Sequence, residues 1–134
     1  MKFDQEHYNR LDIPQEYLDI FEKTCLESQK RKGLSNNEID AIKKRGYFLV
    51  QLARSIKAEN IAEVGTAQGF QFYSFAQYLK TVEAEGKVYS CDPRQAQNEE
   101  LFVKYRDQCC YIQGTSSSMA KHIEGGTKIN LFFI

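Results

Sequence analysis

Three things are scarce in this chain, and each scarcity narrows what it does. Charge of one sign is not in excess: 18 Lys and Arg balance 18 Asp and Glu, for a formal net charge of +0 at pH 7. A neutral chain lacks the electrostatic footprint expected of a protein whose main partner is nucleic acid or an anionic membrane. Long hydrophobic runs are missing too. No segment approaches the roughly 20 apolar residues of a membrane-spanning helix, and Met1-Lys2-Phe3-Asp4-Gln5-Glu6 has no apolar core and does not read as a signal peptide. Histidine and cysteine are few and scattered. His7 and His122 have no nucleophile partner visible in sequence, and Cys25, Cys91, Cys109 and Cys110 lack paired metal-ligand spacing. The cysteines read as reduced core thiols of a cytoplasmic protein, and no metal site is expected in the chain.

What is present is an ordinary globular mixture, 42% hydrophobic and 27% charged over 134 residues, the size of one domain. Pro14 suits the first turn of a helix, along which Tyr17, Leu18, Phe21 and Cys25 recur at helical spacing. Lys30-Arg31-Lys32-Gly33 is a cation-rich stop. Ser35-Asn36-Asn37-Glu38 fits a capping box for a second helix, with Ile39, Ile42, Leu49, Leu52, Ala53 and Ile56 on one face. Gly46 interrupts that face and marks either a break or a close contact. Both helices are expected to cover an edge of a sheet.

From about residue 60 onward, strands and helices alternate. The strands are expected over 60–64, 87–91, 109–113 and 129–134, and the helices over 69–80, 95–105 and a short stretch ending near 123. This order predicts an α/β fold, a parallel sheet with helices on both faces. Phe72, Phe75, Ala76 and Leu79 form the inward stripe of the first of these helices, broadened by Tyr73 and Tyr78. The last strand, Ile129-Asn130-Leu131-Phe132-Phe133-Ile134, reads as a central strand buried on both faces. A domain finishing on such a strand would leave it exposed or unpaired, so the chain is expected to be a fragment of a longer domain, and an unpaired strand there could favour a homodimer.

Ligands of such sheets bind beyond the carboxyl ends of the strands. Three segments fall there. Glu63-Val64-Gly65-Thr66-Ala67-Gln68-Gly69 reads as a strand end, a glycine turn and a helix start, whose free N–H groups face the turn. Glu63 is a carboxylate at the end of a strand that should be buried, and a cationic or hydrogen-bonding ligand would account for it. Asp92, before Pro93, either accepts from ribose hydroxyls or caps the next helix. Gly114-Thr115-Ser116-Ser117-Ser118 either meets the edge of a ligand base or caps a short helix. Their convergence on one rim is the strongest functional signal in the sequence.

These segments, with Tyr89-Ser90-Cys91-Asp92-Pro93, Gln113-Gly114-Thr115-Ser116-Ser117 and Asn130-Leu131-Phe132-Phe133-Ile134, resemble class I S-adenosylmethionine-dependent methyltransferases. Within that class the chain is similar to small-molecule O-methyltransferases of the catechol and caffeoyl-CoA type. The helix before the first strand, with Gly46, Phe48, Leu49 and Leu52, shares the likeness, which covers residues 35–134. The resemblance implies a Rossmann-like sheet of about four strands in the order 3-2-1-4, incomplete, with N-terminal helices. Residues 1–58 would be a helical region packing on the sheet, and 59–134 the N-terminal half of a cofactor-binding domain.

It further implies S-adenosyl-L-methionine as cofactor. The loop containing Glu63, Gly65, Thr66, Ala67 and Gly69 would hold its methionine part, with Glu63 near the amino end. Gln71 stands where relatives commonly place a serine or threonine near the methionine carboxylate. Asp92 would hold the ribose, Pro93 and Arg94 would flank the adenine, and Ser116 and Ser117, after Gly114, would meet its edge. The methyl acceptor would be a small molecule. No catalytic residue can be named. In metal-dependent relatives the fourth strand leads to an aspartate ligand, so a divalent metal belongs only to a longer parent chain. The fragment alone would bind cofactor weakly or not at all and would not catalyse. Two other readings stand beside this one: a degenerate, non-catalytic methyltransferase-like binding module, and an NAD(P)-dependent Rossmann oxidoreductase. Against the latter, the turn lacks G-x-G-x-x-G.

Overall fold

The computed structural model describes Glu6, residues 11–123 and residues 125–134. His7 and the remaining N-terminal positions lie outside the described residues.

The first helical stretch runs as α1 (Gln15–Phe21), a π-helical turn (Glu22–Leu26) and α2 (Glu27–Arg31). Two hydroxyls bond back to the backbone around the π turn. Thr24 Oγ1 donates to the Ile20 carbonyl at 2.7 Å, and Ser28 Oγ donates to the Cys25 carbonyl at 2.9 Å. Such bonds compete with the regular helical ladder. Helix α3 (Asn36–Ser55) starts on the expected capping box: Ser35 Oγ accepts from the Glu38 N–H, and the Glu38 carboxylate accepts from the Ser35 N–H. Gly46 does not break it. A Cβ at that position would lie 2.4 Å from the Phe70 ring, so the glycine is a close contact between helices. The inward face of α3 differs in part from expectation. Tyr47 and Val50 are buried, whereas Ile56 is 47% exposed because it lies past the final turn, at the C-cap.

The sheet has four parallel strands in the order β3-β2-β1-β4: β1 (Ile61–Val64), β2 (Val88–Asp92), β3 (Cys109–Gln113) and β4 (Leu131–Phe133). Helices α4 (Phe70–Thr81) and α5 (Glu99–Lys104) connect the first three strands, and α6 (Ser116–His122) lies on the return to β4. Because side chains alternate along a strand, the two faces separate cleanly. Ile61, Val88 and Cys109 join Phe72, Phe75 and Leu79 of α4 and Leu101 of α5, together with Tyr17, Ile20 and Val50 from the preceding helices. Ala62, Tyr89, Cys91 and Ile112 face the other way, against Met119 of α6. Each fully buried side chain of this size stabilises the fold by about 1.5–3 kcal/mol.

Two expectations are corrected. Helix α5 starts at Glu99, not near Gln95, and Asp92 is not its cap. Asn98 is the cap: in a left-handed conformation (φ 61°), it accepts from the Leu101 N–H through its side chain. The loop before it is pinned instead by Tyr73, whose hydroxyl donates to the Gln97 carbonyl at 2.6 Å. The second correction concerns β4. It pairs only with β1, and Phe132 is 55% exposed, so among the described residues it is an edge strand rather than one buried on both faces.

Candidate functional site

Strand order reverses between β1 and β4, since the chain moves outward from β1 through β2 to β3 and then returns to the far side of β1. Such a switch point opens a crevice at the carboxyl ends of the two strands. A cleft of about 200 Å³ lies there. Its walls are Glu63, the glycine loop and the start of α4, with Phe133 of β4, Arg45 and Gly46 of α3, and Cys25 and Gln29 of the first helical stretch.

The loop has its shape because two glycines permit it. Gly65 and Gly69 have φ of +91° and +96°, a region that L side chains rarely adopt. The Gly65 and Thr66 N–H groups both donate to the Cys91 carbonyl, which carries the β1 end across the tip of β2. Gly69 then sits at the N-cap of α4, and its own N–H closes the turn on the Thr66 carbonyl at 2.9 Å.

Beneath this loop lies a buried polar chain. Glu63 is paired in register with Ser90, so their side chains share a face. Ser90 Oγ donates to Glu63 Oε1 at 2.7 Å, and Thr66 Oγ1 lies 2.5 Å from Ser90 Oγ. With the serine proton committed to the glutamate, threonine is the donor to serine. All three side chains are buried. Burial is the largest influence on Glu63 and pushes its carboxyl up to about 8; the Ser90 hydrogen bond opposes this, and the nearby Asp92 charge adds to it.

Asp92, two residues past Ser90, falls on the same face of the sheet as Glu63. Its Oδ2 accepts from the Ala67 N–H at 3.0 Å; its Oδ1 accepts from the Arg94 N–H and from Arg94 Nε at 3.1 Å. The Arg94 side-chain hydrogen bond is the largest influence on Asp92 and holds its carboxyl below the usual carboxylate range. The Gly114 N–H donates to the Asp92 carbonyl, which links the third strand end to the second. The structure thus brings Glu63, Gly65, Thr66, Ala67, Gly69 and Gln71 onto one cleft and ties Asp92 and Gly114 to the same rim. Pro93, Arg94, Ser116 and Ser117 are exposed and do not line the cleft. The cap of α6 is Thr115, whose Oγ1 accepts from the Ser118 N–H. Gln71 donates from Nε2 to the Gly46 carbonyl at 3.2 Å, tying α4 to α3.

Sequence reading missed three participants. Ser90 was detectable, because it is the one polar residue two positions before Asp92 in an otherwise apolar strand. Arg45 stands next to Gly46, whose small size signals close packing, but nothing in the sequence aims it at the glycine loop. Cys25 reaches the cleft wall on the π turn, which carries no sequence mark. Among the described residues all four cysteines are free thiols, and burial raises Cys109 to about 12. Among those same residues no cluster of three or more His, Cys, Asp and Glu could hold a metal, and no helix is long and apolar enough to cross a membrane.

Among solved structures, the chain is similar to the SAH-bound Podospora anserina methyltransferase PaMTH1, with a TM-score of 0.68 and 20% identity over 99% of this chain and 58% of that one. It is also similar to a Klebsiella pneumoniae protein assigned as an O-methyltransferase, with a TM-score of 0.63 and 18% identity over 96% of this chain and 56% of that one. The chain therefore spans somewhat more than half the length of the proteins whose fold it shares. No family model matches the sequence, and no curated protein matches it.

Proposed function

We propose that the chain is the cofactor-binding part of an S-adenosylmethionine-dependent methyltransferase that acts on a hydroxyl of a small molecule. The observation that carries the reading is the buried Glu63 carboxyl lining a cleft at the switch point between β1 and β4, on the same face of the sheet as Asp92. The methyltransferase fold of the two similar structures supports it, as does the SAH bound to one of them. The choice of a hydroxyl acceptor leans on the second.

The residues fit such a ligand. A cleft of about 200 Å³ is smaller than the roughly 300–1,000 Å³ of a whole-ligand pocket. It suits the amino-acid end of the cofactor, while the adenosine would lie outside it along Asp92. Glu63 would face the ammonium. Gly65, Thr66, Ala67 and Gly69 would let the ligand approach the main chain, and a Cβ at Gly65 would meet nothing within 4 Å. Asp92 would exchange its bonds to Ala67 and Arg94 for ribose hydroxyls. Pro93 and the released Arg94 would flank the base, with Gly114, Ser116 and Ser117 toward its edge.

When bound, the cofactor supplies a methyl group already activated on a sulfonium. The chain's own task is then to position and desolvate it. The reading is tested by calorimetry of the chain with S-adenosylhomocysteine and, separately, NADH, at ligand concentrations up to millimolar. Weak binding of the first alone is expected, since the cleft and the Asp92 rim both lie within this chain. Binding of NADH alone would overturn the reading, and so would binding of neither.

A further inference from the structure

The cleft carries an acid and a guanidinium, and they do not pair with each other. Glu63 lies at its floor, bonded to Ser90. Arg45, from α3, lines the same cleft and forms no ion pair among the described residues. Exposed arginines usually need no explanation. This one lines the cleft at the start of α4, a 12-residue helix whose first N–H groups add partial positive charge. Gln71, a polar side chain in the first turn of α4, has its amide N–H engaged with the Gly46 carbonyl. That bond also holds the backbone beside Arg45 against α4.

An acid and a guanidinium that line one cleft without pairing match a zwitterion, the head group of an α-amino acid. We propose that Arg45 takes the carboxylate at the amino-acid end of the adenosyl cofactor, while Glu63 faces its ammonium. The inference rests on the function proposed above and assigns that cleft its second charged contact. Gln71 acts as the tie that keeps Arg45 and the α4 N-terminus together. The guanidinium suits the task because its forked donors match a carboxylate bidentately.

The test uses two ligands that differ only at the carboxylate: S-adenosylhomocysteine and its decarboxylated analogue, which keeps the ammonium. Affinities are measured by NMR titration of the wild-type chain, R45A and E63Q, with thermal unfolding of each as a control. A charge-assisted hydrogen bond in this setting is expected to contribute about tenfold to a hundredfold in affinity. R45A should weaken S-adenosylhomocysteine by that factor, leave the analogue unchanged, and melt as the wild type does. E63Q should weaken both ligands. If the wild-type chain binds and R45A binds S-adenosylhomocysteine equally well, or loses both ligands alike, the Arg45 assignment is wrong and the cofactor reading survives. If the wild-type chain binds neither ligand, both fall.

Discussion

Ser90 Oγ donates to Glu63 Oε1 at 2.7 Å in the buried floor of the cleft. The contact joins two neighbouring strands through side chains, and Thr66 extends it into the glycine loop. Ser90→Ala removes the donor to Glu63 and the acceptor for Thr66 together. A buried polar group left unsatisfied costs about 1–3 kcal/mol. S90A is therefore expected to lower stability by that amount in urea unfolding, whereas Ser90→Thr, which keeps the hydroxyl, is expected to lower it less.

The same glutamate makes stability depend on pH. Folded, Glu63 keeps its proton up to about 8; unfolded, it titrates near its ordinary value of 4.5. Between those values the folded chain binds more protons than the unfolded one. Stability contributed by Glu63 is thus full below about 4.5, falls as pH rises through the window, and levels off above about 8. Asp92 acts in the opposite sense, since its carboxyl is held low by Arg94. Its contribution is present at neutral pH and is lost only in acid, as pH falls through its lowered value. Denaturation midpoints taken from pH 5 to 8 should decline for the wild type and stay flat for E63Q.

Gly65 separates fold from ligand. Its φ of +91° strains any L side chain, yet a Cβ there would meet no protein atom within 4 Å. Gly65→Ala is expected to cost about 1–2 kcal/mol of backbone strain and to leave the far-ultraviolet circular dichroism unchanged. If a ligand approaches the loop closely, the added methyl group should also reduce S-adenosylhomocysteine affinity by at least tenfold, read by calorimetry.

Gly46 is limited by packing alone. A Cβ would lie 2.4 Å from the Phe70 ring, and that ring stacks edge-on against Phe21 with centroids 5.0 Å apart. Overpacking of this kind costs about 1–3 kcal/mol. Gly46→Ala should therefore lower the melting temperature, and the double variant with Phe70→Leu should recover part of the loss.

How much of this was legible in the sequence follows from which forces are local. Periodicity gave the α4 stripe of Phe72, Phe75 and Leu79, and all three are buried. The capping box at Ser35 and the strand at 109–113 also stand where the residues placed them. The strand order 3-2-1-4 came from family likeness rather than from any residue pattern, and the sheet has it. Errors arose where tertiary contacts decide. The helix expected from Gln95 starts only at Glu99, and Asp92, whose other reading was its cap, has its carboxylate drawn across to Ala67 of another strand–helix turn. Asn98 became the cap because the Tyr73 hydroxyl holds the preceding loop. Phe132 is as apolar as any core residue, and its exposure is set by which strands stand beside β4, something its own sequence does not encode.

The central claim is that the Glu63 cleft and the Asp92 rim form one site for an adenosyl amino acid. Amide chemical shifts of the isotope-labelled chain, followed during titration with S-adenosylhomocysteine, test it most directly. The account predicts saturable shifts that cluster at Gly65, Ala67, Gly69, Arg94 and Gly114, with residues around the distant Tyr78 unmoved. No shifts at millimolar ligand, or shifts scattered away from these strand ends, would contradict it.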